Sequence, residues 1–179
     1  MTRELITSLF ALTACLTSCG QTSTETGNQK QQQSIIFIDT SKIAVLPFDT
    51  TQHWIFKGNK PTSLTNDDLL KIENILNDFI KDYNPDQERQ FKETNNKHPE
   101  YKLDKKNFII DLTRYKRQYI ATTNSKGEKE IWVNCFCNTH NRNWRQQIIV
   151  VRDGGNCYFN LKINLTTGRY YELIVNGDA

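Results

Sequence analysis

TNDDLLKIENILNDFIKDY, residues 65–83, is the stretch from which the fold can be read. Thr65 stands where an N-cap accepts a hydrogen bond from the first turn, and Asp68 lies three residues on, placed to reach back. Leu64 and Leu69 occupy the two positions of a hydrophobic staple. Leu69, Ile72, Leu76, Phe79 and Tyr83 then recur at spacings of three and four, which aligns them on one stripe of an α-helix. Asp67 and Asp68 favour the positive end of the helix dipole and need no other role. Asn84-Pro85 predicts the helix end, because a residue before proline avoids the α region. A stripe of this kind needs an apolar surface to lie on.

That surface is written on both sides of the helix. Ile35–Ile38 and Ile43–Phe48 are short β-branched and apolar runs that read as strands, with Pro47 marking an edge or a strand end. Asp86–Lys106 is polar, anchored only by Phe91, Tyr101 and Leu103, and reads as an irregular connection with room for a helical turn or more near Gln87–Glu93. From Phe108 onward the period changes to two. Tyr115–Thr122, the turn NSKG (124–127), EIWVNCFC (130–137), the connection 138–143 and WRQQIIVV (144–151) follow one another. Asp153-Gly154-Gly155 is the strongest turn or bulge signal, since glycine accepts positive φ. Beyond it Cys157, Phe159, Leu161, Ile163 and Leu165 alternate with polar or outward residues. Thr166-Thr167-Gly168 turns the chain into Arg169–Val175, where Tyr171, Leu173 and Val175 are expected to face inward.

The expectation is an α+β domain over residues 35–179: one long amphipathic helix packed on a curved antiparallel sheet of four or five strands. The arrangement resembles the cystatin-like and NTF2-like folds, which serve binding modules, inhibitors and enzymes alike. The pattern DGGNCYFNLKINLTTGRYYELIVNG (153–177) is similar to small lipoproteins of Bacteroidetes, a resemblance that carries over no activity.

The N-terminus has the three-part form of an export signal: Arg3 in a short polar start, an apolar run from Leu5 to about Leu16, then small residues and cysteine. The run is too short to span a membrane. Leu12-Thr13-Ala14-Cys15 and Leu16-Thr17-Ser18-Cys19 both resemble the box that ends bacterial lipoprotein signals. Cleavage before Cys15 would leave an apolar run of only Leu5–Ala11. Cys19 is therefore the expected lipidation site, residues 1–18 the signal peptide and 19–34 a lipidated tether, whose Gln, Thr and Ser content cannot offset an ordering entropy. Gly20 after the cysteine, by resemblance to the sorting rule, implies the outer membrane, facing the periplasm. The whole chain and the mature chain both carry a net charge of +3, because residues 1–18 hold one base and one acid. That balance excludes nucleic acid as an expected partner, leaving the membrane, through the lipid, and an envelope protein.

Cys135, Cys137 and Cys157 then remain. Cys135 and Cys137 share a strand face, so Cys157 is expected to bridge one of them, or all three stay as buried thiols. A third alternative is a zinc or copper site using Cys135, Cys137, His140 and Cys157, although C-x-C-x-x-H is not a usual metal spacing. His53 and His98 have no partners at motif spacing. No nucleotide, hydrolase or metalloprotease fingerprint is present, so no cofactor and no catalytic residue is expected. Asp111, Tyr115 and Arg117 fall on one side of an extended segment and form the candidate polar pocket of an NTF2-like enzyme, or else a solvated face. Trp132, Phe136, Tyr158 and Tyr170 oppose the core faces of their strands. They form a candidate binding face if that side is open, and a second core if Trp54–Phe56 or the first strands cover it. The leading expectation is a membrane-anchored, non-enzymatic binding or adaptor module of the cell envelope.

Overall fold

The computed structural model describes residues 38–177. The chain is α+β, with one helix and an open, mixed six-stranded sheet. The strands are β1 (Ile43–Leu46), β2 (Lys60–Pro61), β3 (Lys116–Thr123), β4 (Lys129–Phe136), β5 (Tyr158–Asn164) and β6 (Arg169–Val175). Their order is β1-β3-β4-β5-β6, with β2 also paired to β3. From β3 onward the sheet is the antiparallel meander that the alternation predicts. β1 departs from that expectation and runs parallel to β3. Parallel neighbours require a crossover connection, and the long helix between them supplies it. The segment 144–151 is not a strand, although its apolar content suggests one.

The helix α1 (Asn66–Lys97) starts where the capping signals place it: Thr65 Oγ1 accepts from the Asp68 N–H at 3.1 Å, and the Thr65 N–H donates to Asp68 Oδ2 at 2.9 Å. It does not stop at Pro85. Asn84 holds the pre-proline position in the helix by a two-way clamp on Ile110, accepting from its N–H and donating to its carbonyl, each at 2.8 Å. These bonds offset the conformational cost of the proline, which stands exposed on the outer side.

Two cores lie on opposite faces of the sheet. On the first, Ile72, Leu76 and Phe79 of α1 pack against Tyr119, Val133, Leu161 and Ile163. All of these are effectively water-free, and burying each helix side chain contributes about 1.5–3 kcal/mol. On the second, Ala44, Leu46, Phe48, Ile55 and Phe56 close over Ile120 and Trp132, while Ile149 and Tyr158 close over Phe136. In β6 the predicted inward set is corrected by a bulge. Lys162 pairs with Tyr171 but Asn160 pairs with Ile174, so Glu172 and Leu173 oppose Leu161 alone, and Glu172 adopts a φ of +49°. The extra residue shifts the alternation. Tyr170, Leu173 and Val175 face the first core, and Tyr171 turns away to donate to Glu130 Oε1 at 2.9 Å.

Candidate functional site

The second face is closed by loops rather than by another sheet or helix, and two buried amides explain how. Gln118 and Asn134 are cross-strand neighbours on β3 and β4, in positions where an apolar residue would ordinarily face a core. The Gln118 amide donates to the carbonyls of Trp144 and Gln147, and its oxygen accepts from the Ile149 N–H at 3.0 Å. Asn134 donates to the Ile149 carbonyl at 2.8 Å and to Gln118 at 3.0 Å. Side chains of the sheet thus satisfy the backbone of 144–149, which leaves that segment no need of strand pairing. A disulfide between Cys137 and Cys157 fastens the two ends of the same loop.

Of the two alternatives for the aromatic face, the covered second core is the one found for three of the residues, and only Tyr170 changes sides. Trp132, Phe136 and Tyr158 are buried beneath these covers, and Tyr170 lies on the opposite side of the sheet, edge-on to Phe79 at 5.3 Å. What the covers leave open is a cleft of about 70 Å³ at their junction. It is walled by Trp54, Trp132, Val150, Tyr158, Asn160 and Asn176. Trp54 stands edge-on to Trp132 at 5.5 Å, and Asn160 accepts from the Trp132 indole N–H at 3.2 Å, so Trp132 is held from two sides. Around the mouth Trp54 is 57 % exposed and Val150 55 %; on the edge strand beside Asn160, Ile174 is 56 % exposed. Trp54 and Val150 gave no sequence signal of this role, since each acquires it only where two covering loops meet.

The cysteines divide. Cys157 takes Cys137, one of the two alternatives open to it. Cys135 remains a free thiol facing the helix, where burial pushes its pKa far up and Arg117 opposes that rise only in part. It is thus a poor nucleophile. His140 stacks on Tyr158, with its Nε2 2.6 Å from the phenol oxygen. The four candidate metal ligands do not come together, because a disulfide removes two thiolates. Among the described residues no three His, Cys, Asp or Glu side chains are grouped to hold a metal ion. Cys19 lies outside the described residues, and among those described no helix is long and apolar enough to cross a membrane.

The candidate polar pocket also disperses. Asp111 caps a short turn, accepting from Thr113. Tyr115 is buried and donates to the Asn156 carbonyl at 2.7 Å. Arg117 is buried with Nε 3.3 Å from Glu73 Oε1, and Tyr119 donates to the same oxygen at 2.5 Å. Burial, then the Glu73 charge, raise the Tyr119 pKa well above its usual value. This network ties α1 to β3 inside the first core, and none of its members lines the Trp54 cleft.

Known protein families, curated proteins and solved structures contain no match to this chain. The site therefore has to be read from its own chemistry. The cleft has room for about one side chain, carries the exposed apolar side chains of Trp54 and Val150 at its mouth, and has the Tyr158 phenol with its His140 partner in its wall.

Proposed function

We propose that this chain is a lipid-anchored, non-enzymatic binding module of the cell envelope, attached to the outer membrane through Cys19 and facing the periplasm. Its partner is a protein that inserts one apolar side chain into the Trp54 cleft. The observation that carries the reading is the pair of exposed apolar side chains, Trp54 and Val150, that line the slot, with exposed Ile174 on the neighbouring strand across from Asn160. Large apolar side chains grouped at a pocket are the usual form of a protein-binding hot spot, and about 70 Å³ suits a side chain better than a free metabolite. The anchor is supported by the Leu16-Thr17-Ser18-Cys19 box and by the polar segment after it. The likeness to cystatin-like and NTF2-like folds is supported by the helix lying across a meander, and it leaves the ligand open.

Two measurements test the proposal. Intact mass spectrometry of protein extracted from membranes should find a chain beginning at Cys19 with a diacyl or triacyl increment; an unmodified chain beginning elsewhere overturns the anchor. A photo-crosslinker at position 150, which leaves Trp54 in place, should give one identified envelope adduct that one at position 70 on α1 does not. Binding of that purified partner should then weaken at least tenfold in Trp54→Ala at unchanged Tm. Equal labelling from both positions, or unaltered affinity, overturns the docking surface.

A further inference from the structure

The apolar stripe of α1 continues past Tyr83 at the same spacing, as Gln87 and Gln90. There the helix outruns the sheet: 32 residues extend about 48 Å, against about 27 Å for the eight residues of β3. An overhanging helical face is ordinarily charged, and this segment holds seven charged residues between Lys81 and Glu93. None of them lines the cleft of about 320 Å³ that Tyr83, Gln87 and Gln90 enclose with Asn107, Phe108 and Asn156. Its size falls at the lower end of small-molecule sites.

The walls are held independently of any ligand. Asn84 clamps Ile110, Phe91 packs edge-on to Phe108 at 5.3 Å, and Lys105 pairs with Glu88 at 2.7 Å. The Asn156 amide donates to the carbonyls of Lys106 and Ile109, joining the two loops opposite the helix. Among the described residues the carboxamides of Gln87, Gln90 and Asn107 make no side-chain hydrogen bond, so their donors and acceptors face solvent or a ligand. None of the described residues that line the cleft is charged, so a carboxylate or ammonium entering here would lose water without meeting a counter-charge from them. A molecule with several hydroxyls, an apolar C–H face and no charge would match both the amides and the half-buried rings of Tyr83 and Phe108.

We propose that this cleft binds a neutral sugar residue, hydrogen-bonded by Gln87, Gln90 and Asn107 and packed on Tyr83 and Phe108. The site is separate from the Trp54 slot and does not depend on that reading. The test is NMR titration of the oxidised protein with glucose, galactose, N-acetylglucosamine and cellobiose, beside glucuronate and tetra-alanine as charged and peptide controls. At least one neutral sugar should shift the Gln87, Gln90 and Asn107 side-chain amide signals saturably. The Gln87→Ala/Gln90→Ala double variant, which keeps good helix formers on α1, should weaken that sugar at least tenfold while its circular dichroism is unchanged. Absence of saturable shifts with all four sugars, preference for glucuronate or the peptide, or full affinity in the double variant overturns the proposal.

Discussion

Gln118 shows how much one buried amide can organise. Replacing it by leucine keeps the volume but orphans the carbonyls of Trp144 and Gln147 and the N–H of Ile149. The buried Ile149 N–H costs about 1–3 kcal/mol when orphaned and the more accessible carbonyls less, so Gln118→Leu should lower stability by about 2 kcal/mol in urea unfolding. Asp68 carries the clearest pH dependence. Burial works to raise its pKa, but the Lys129 ammonium at 2.7 Å and the capping bonds with Thr65, whose N–H donates to the carboxylate at 2.9 Å, outweigh burial and hold it below the usual carboxylate value. A carboxyl depressed in the folded state contributes stability above its unfolded pKa of about 4 and loses it as the pH falls through the folded value. Asp68→Asn should therefore be less stable than the parent at pH 7, and the gap should close below about pH 4 in parallel denaturation series. A gap that persists in acid would assign the effect to packing. In the sequence Asp68 is legible as a cap, whereas Gln118 is not distinguishable from any exposed strand glutamine.

At the scale of the element, α1 is where reading and structure part. Its start follows from Thr65, Asp68, Leu64 and Leu69, all local. Its passage through Pro85 depends on Ile110, 26 residues further along the chain from Asn84. Asn84→Ala removes two hydrogen bonds and leaves a buried backbone pair unsatisfied, so it should cost about 2–3 kcal/mol by chemical denaturation. Pro85→Ala restores a helical N–H and should stabilise by about 1 kcal/mol or more, a proline in a helix interior being the larger burden. If Pro85→Ala instead lowered stability, the proline would be contributing a tertiary contact or a large restriction of the unfolded chain. β6 gives the same lesson in a strand. The bulge at Glu172 displaces the inward set by one residue, and periodicity read across it assigns Tyr170 and Tyr171 to the wrong faces.

For the whole molecule, the two cores share one sheet but report separately. All three tryptophans, Trp54, Trp132 and Trp144, lie on the covered second face, while α1 lies on the first. In the oxidised protein, tryptophan fluorescence and the helical circular dichroism signal should unfold together, because both cores draw on β3 and β4. Closing a loop of this length, the Cys137–Cys157 bond contributes about 3 kcal/mol in the chain-entropy account, and its effect falls on the loop that covers Phe136 and Trp132. Cys137→Ser should lower the midpoint of both signals and shift the fluorescence transition further than the dichroism. Coincident transitions in the variant would show that the cover is held by Gln118 and Asn134 without help from the disulfide.

The amphipathic period and capping box of α1, the alternation of β3 to β5 and the glycine turns are set by neighbours in the chain, so the α+β class was legible from residues 65–83 and 115–175 alone. Which side of the sheet was open was not, because it depends on where loops from residues 48–56 and 144–151 come to rest. Covers held by side chains of distant strands leave no periodic trace. The parallel β1, the helix beyond Pro85, the choice of Cys137 as the partner of Cys157 and both clefts were likewise decided by tertiary structure. Each joins residues far apart in the chain, and local physical chemistry cannot select among such pairings before the core has formed.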